Sequence, residues 1–164
     1  MAKTRYNAGV TLVEMLVVVA IIALLAGFVI TLTSRLDNQG KERQLAGIFA
    51  LLKSALIEYH GETGTFPVPD PNVAEEDYDE PYEHGELLYA RLDSVVESRE
   101  IVRRIDPSFV KGDARADDPL NVYDSWGVAI DYLYDPNTGN FPELLSAGRD
   151  KTFGTADDIS SKEQ

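Results

Sequence analysis

The 164-residue chain contains no cysteine, which excludes a disulfide scaffold and any thiolate metal site. It is also short of base: 15 Lys and Arg stand against 28 Asp and Glu, a net charge of −13. Nucleic-acid phosphates attract Lys- and Arg-rich surfaces, so no nucleic-acid partner is expected. Only two histidines are present, and both His60 and His84 read as surface residues rather than metal ligands. No Gly-x-Ser-x-Gly, His-Glu-x-x-His or phosphate-binding glycine loop occurs, and the chain reads as a non-enzyme. The length suffices for one domain with a modest core.

What is present is sharply divided. Residues 15–30, MLVVVAIIALLAGFVI, carry no charge, whereas residues 70–83, DPNVAEEDYDEPYE, carry seven acids and no base. The first stretch suits a membrane or a buried helical bundle, and the second suits water. A short basic opening, MAKTRYNAG, precedes the apolar run, as in a secretory signal peptide or a transmembrane helix. A signal peptide would end in a small-residue cleavage site. Here Gly27-Phe28-Val29-Ile30 continues apolar, and the helical pattern runs past Arg35. Glu14 sits inside the apolar stretch rather than before it. A charge at mid-membrane costs about 2.5–3.5 kcal/mol on insertion scales, so this carboxylate needs a partner or the interface.

Gly9 followed by Val10-Thr11-Leu12-Val13-Glu14-Met15-Leu16-Val17-Val18-Val19-Ala20 resembles the type IV pilin and pseudopilin family. Precursors of that family carry a short basic leader ending in Gly, then an apolar helix with Glu as its fifth mature residue. A prepilin peptidase cuts after the Gly on the cytoplasmic side and methylates the new amine. The resemblance implies cleavage after Gly9, N-methylation of Val10, and an assembly role for Glu14. Val10 stands where the family usually has Phe. Lys3 and Arg5 would hold the leader inside the cell, and Glu14 would pair with the Val10 amine of a neighbouring subunit, fixing register. The implied parts are a leader over 1–9, a transmembrane and filament-core helix over 10–34, and a periplasmic head over 35–164.

Leu45, Ile48, Phe49, Leu52, Ala55, Leu56 and Tyr59 recur at three- and four-residue spacing, which predicts that the helix continues with an amphipathic second half. Gly61 is the expected C-cap. A helix from Val10 to Gly61 would be about 75 Å long, more than a small globule needs. No proline interrupts it, and Gly27 and Gly40 are its weak points. Gly85 to about Glu97 reads as a short amphipathic helix, while residues 98–120 show no readable pattern. Val128–Tyr134 and Phe141–Ser146 read as two strands of a hairpin around the turn 135–140. Tyr59 with Gly64-Thr65-Phe66-Pro67, and the turn Tyr123-Asp124-Ser125-Trp126-Gly127, resemble steps of major pseudopilins, with Ser125 where Pro is usual. The fold implied is α+β: a pilin fold, with a long N-terminal helix packed on a small antiparallel head.

Residues 146–159 read SAGRDKTFGTADDI. Three carboxylates and two glycines in so short a loop can wrap a hard cation, since Ca²⁺ takes about 6–8 oxygens. The loop is not an EF-hand, because Ser161 stands where the twelfth-position Glu would be. It resembles the calcium loop of major pseudopilins of type II secretion. That resemblance implies one Ca²⁺ held by Ala147, Asp150, Thr155 and Asp157, with Asp158 a further ligand.

The leading functional expectation is a structural subunit of a type II secretion pseudopilus. It would homo-polymerise from the inner membrane, with prepilin peptidase, minor pseudopilins and an inner-membrane assembly platform as partners, and drive folded proteins through the outer membrane. A type IV pilus subunit for adhesion, motility or DNA uptake is the alternative within the family. The lack of cysteine disfavours it, because major pilins usually carry a disulfide-bounded C-terminal region. A membrane-anchored calcium-dependent binding module is the alternative of another class.

Overall fold

The computed structural model describes residues 11–68, 81–112 and 119–162, with backbone alone for 28–36 and 81–83. The leader, Gly9, Val10 and the acidic stretch to residue 80 lie outside the described residues. Helix α1 runs Leu12–Thr63. The chain divides into two compact units, Met1–Gln39 and Gly40–Gln164.

In the first unit α1 carries only apolar side chains from Met15 to Gly27. Leu12, Met15, Leu16, Val19, Ile22 and Leu25 are all more than half exposed, so no described residue of this unit takes them from water.

In the second unit the helical spacing does its expected work. Leu45, Ile48, Phe49, Leu52, Ala55, Leu56 and Tyr59 are all buried. They pack with Leu88, Leu92, Val102, Ile105, Val122, Trp126, Ile130, Tyr132 and Leu144 in one core. Each large side chain so buried contributes about 1.5–3 kcal/mol against exposure. The helix ends later than Gly61. Gly64 takes the left-handed φ of +78° and its N–H donates to the His60 carbonyl at 2.8 Å, the αL termination that glycine makes without a Cβ penalty.

The expected Gly85–Glu97 helix is two helices. α2 runs Pro81–Ser94, with proline at the first position, where a missing N–H costs nothing. α3 runs Val96–Val102, after Val95 turns extended at φ −102°, ψ 133°. Serines account for the break. The Ser94 hydroxyl donates back to the Arg91 carbonyl, and buried Ser98 donates to the Leu92 carbonyl across the corner, taking hydrogen-bonding capacity from a continuous helix.

A 3₁₀ turn over Pro107–Phe109 is capped by the Asp106 carboxylate, which accepts from Ser108 N–H. β1 (Val110–Lys111) pairs antiparallel with β2 (Asn121–Val122). The expected hairpin is present but shorter: β3 (Asp131–Leu133) pairs with β4 (Glu143–Ser146), Tyr132 opposite Leu144. β5 (Ile159–Ser160) adds to the other edge of β4. The architecture is the expected α+β, with small antiparallel sheets. The strand order β3-β4-β5 places the C-terminal loop between β4 and β5, so both its ends are tied into one sheet.

Candidate functional site

The first candidate lies at the start of α1. Thr11 and Glu14 form a reciprocal cap: Thr11 N–H and hydroxyl donate to one Glu14 carboxylate oxygen at 2.8 and 3.0 Å. Glu14 N–H donates to Thr11 Oγ1 at 3.2 Å. This is a Thr-x-x-Glu capping box, which satisfies helix-end donors that would otherwise lack partners. The sequence carries its signal as Thr11-Leu12-Val13-Glu14, overshadowed there by the placing of a charge in an apolar run. Among the described residues no helix is long and apolar enough to cross a membrane. The apolar segment with described side chains, Leu12 to Gly27, stops short of the ~20 residues a span requires, and in the sequence the run goes on to Ile30.

The second candidate is the loop between β4 and β5. Asp157 is its organiser: one carboxylate oxygen accepts from Asp150 N–H at 2.9 Å and the other from the Thr155 hydroxyl at 2.6 Å. Those two bonds, the Thr155 hydroxyl first, hold the Asp157 carboxyl down at about 2. Asp150 in turn accepts from Thr152 N–H, and Asp158 Oδ2 accepts from Gly154 N–H at 2.7 Å. Ala147 is fully buried. The sequence-predicted residues Asp150, Thr155 and Asp157 are therefore joined by hydrogen bonds, with Ala147 and Asp158 in the same loop. Among the described residues no three of His, Cys, Asp and Glu gather as a metal-holding group.

Two observations bear on whether a cation fits. The Asp158 Oδ1 atom is buried without a hydrogen-bond partner, an acceptor whose burial costs free energy until a donor or cation meets it. Gly148, at φ +65°, lies so close to Asp157 that a Cβ would overlap the Asp157 carbonyl oxygen. The potential ligands of the loop are all oxygens, a donor type that suits a hard cation and not a soft one.

A third feature supports the second. Asp124 is 1 % exposed, and its Oδ1 accepts from Trp126 and Val128 N–H, both at 2.9 Å. Its Oδ2 accepts from the Ser146 hydroxyl at 2.6 Å. The sequence marked this segment as a turn, to which two of the three bonds of the Asp124 carboxylate belong, while the third, from Ser146 22 positions on, had no local signal.

The histidines differ. His60 is exposed and stacks on Phe66, ring centroids 4.5 Å apart. His84 is half-buried, and its Nδ1 lies 2.7 Å from buried Asp131 Oδ1, joining α2 to β3. It is therefore not the surface residue expected, because Asp131, 47 positions away, is brought under it by the fold. Beside it an open cavity of about 450 Å³ is lined by His84, Tyr132, Tyr134, Phe141 and Glu143 among others.

Residues 4–30 match the family model for the prokaryotic N-terminal methylation motif. No curated protein and no solved structure matches the chain.

Proposed function

We propose, from a methylation motif that indicates a type IV pilin-like protein, that this chain is a structural subunit of a type II secretion pseudopilus. The observation that carries the pilin-like part of the reading is the motif itself, with Glu14 as the one carboxylate in the apolar segment 12–27, whose side chains are exposed. Exposed apolar surface on that scale requires lipid or neighbouring helices. Processing by prepilin peptidase after Gly9 frees the Val10 amine. The segment 10–34 then anchors the subunit once through the inner membrane, and the head, 35–164, lies in the periplasm. On assembly Glu14 exchanges its Thr11 donors for the Val10 amine of a neighbouring copy. A wrong stagger leaves that charge unpaired in a low-dielectric core, which is the basis of register.

The C-terminal loop fits the secretion branch of the family, and one Ca²⁺ would be held there by carboxylates of Asp150, Asp157 and Asp158 with the carbonyls of Ala147 and Thr155. The cation supplies a fixed positive charge that binds the loop's oxygens together. This chain's own contribution is the tight turn at Gly148 and the carboxylate of Asp157, kept ionised by Thr155 and Asp150.

Two measurements test the reading. Intact mass of protein recovered from its native membrane should correspond to a chain beginning at Val10 with one added methyl group. A chain still starting at Met1 or Ala2, with the peptidase present, refutes it. Glu14→Ala should retain or improve membrane insertion and abolish sheared filaments. Normal filaments from the variant would reduce Glu14 to part of an anchor.

A further inference from the structure

A fully buried path of hydrogen bonds leads from the Asp124 turn into the C-terminal loop. Asp124 Oδ2 takes the single hydroxyl proton of Ser146, and Ser146, itself 0 % exposed, sits at the last position of β4. With its proton committed to Asp124, Ser146 Oγ is left as an acceptor, and it accepts from Gly148 N–H at 3.1 Å. Gly148 is the residue pressed against the Asp157 carbonyl, and Asp157 Oδ2 lies 3.1 Å from where a Gly148 Cβ would stand. Three groups are therefore linked by hydrogen bonds, the Asp124 carboxylate, the Ser146 hydroxyl and the Gly148 amide, and the Gly148 backbone in turn lies close against Asp157. The Asp124 carboxylate is hydrogen-bonded to Trp126, Val128 and Ser146, none of them an expected ligand. The hydrogen-bonded route from it into the loop runs through the hydroxyl of Ser146.

We propose that Asp124 and Ser146 act as a strut that fixes Gly148 against Asp157 and thereby sets the cation affinity of the C-terminal loop. The affinity half rests on the reading of that loop as a calcium site; the geometric half does not. Asp124 and Ser146 are positioning residues, and neither contacts the ion.

The polarity of the path makes it testable with nearly isosteric changes. Asp124→Asn preserves volume but can place an amide NH₂ against Ser146. Ser146 Oγ would then accept from both that side-chain amide and Gly148 N–H, and its own proton would lose its buried acceptor. Ser146→Ala removes the link and leaves Gly148 N–H without its acceptor.

Both variants should be made in the full chain, held in detergent micelles, with Ca²⁺ itself as the probe. Calcium titration well below the melting temperature of each variant should give a Kd about 10–100-fold weaker than wild type, as for losses of residues that orient metal ligands. Amide exchange by NMR in EDTA should show Gly148 protected in wild type and exposed in Ser146→Ala, which removes its acceptor, whereas Asp124→Asn keeps Ser146 Oγ as an acceptor and should retain part of that protection. A lowered melting temperature with unchanged calcium Kd would overturn the proposal, because a merely structural role moves only the first. If the wild-type chain binds no calcium, the calcium reading fails and affinity tuning with it. The strut is then judged by Gly148 exchange in EDTA alone, and unchanged protection in Ser146→Ala refutes it.

Discussion

Gly148→Ala probes the tightest point of the C-terminal loop, and its cost can be worked in two parts. The residue sits at φ +65°, where an L side chain meets the following carbonyl at a cost of about 1–2 kcal/mol. Its new Cβ would also overlap the Asp157 carbonyl oxygen, a backbone atom that cannot swing aside. Relief requires the 157 segment to move, an overpacking cost of about 1–3 kcal/mol. The sum is about 2–5 kcal/mol. Gly154→Ala is the internal control. It shares a positive φ, +83°, but has nothing within 4 Å of its Cβ position, so only the first part applies, about 1–2 kcal/mol. At roughly 3 °C per kcal/mol for a chain of this size, thermal melts in EDTA should fall about 6–15 °C for Gly148→Ala and about 3–6 °C for Gly154→Ala. If the two variants melt together, the contact between Gly148 and Asp157 contributes nothing and the reasoning fails.

Calcium should raise the melting temperature of the wild-type chain, and Asp150→Ala or Asp157→Ala should abolish that shift. Identical melting curves in calcium and EDTA would make the loop an acidic turn only. Leu52→Ala, at a fully buried site, should cost about 2–5 kcal/mol in chemical denaturation followed by Trp126 fluorescence. Ile57→Ala, on the exposed side of the same helix, should cost under about 0.5 kcal/mol. Hydrogen bonds from Lys162, then Ser160, hold the Glu143 carboxyl below its usual range. A depressed folded pKa contributes stability above the unfolded value, about 4.3, and loses it as pH falls through the folded one. The gap between wild type and Glu143→Gln should therefore be present at pH 7 and close in acid. It should stay under about 1 kcal/mol and shrink with salt, because Lys162 is exposed and Glu143 only partly buried. A gap that widens in acid would contradict the assigned bonds.

The boundary between what was legible in the sequence and what was not follows the range of the interactions involved. The seven apolar positions from Leu45 to Tyr59 declared their burial because a helix repeats every 3.6 residues, whatever it packs against. The hairpin over 131–146 was legible for a similar reason: alternation on both sides of a turn is a local property. The motif around Gly9 to Ala20 was likewise legible, through its resemblance to a known family, because all of its residues lie along one segment. The corner at Val95 was not, because it depends on Ser98 finding the Leu92 carbonyl once both are packed on the core. Nor was the end of α1, where Gly61, Gly64 and the intervening threonine offered competing stops and hydrogen bonding chose Gly64.

The buried carboxylates were the least legible of all. Asp124 accepts from Ser146, 22 positions on, and Asp131 meets His84, 47 positions back. In sequence each is one acid among 28, and most of the described acids face water. Periodicity marks which side chains leave water, since that is fixed by the geometry of the local element. Which partner then satisfies a polar group taken in with them depends on what the packed elements bring to within about 3 Å, and only the tertiary structure decides that.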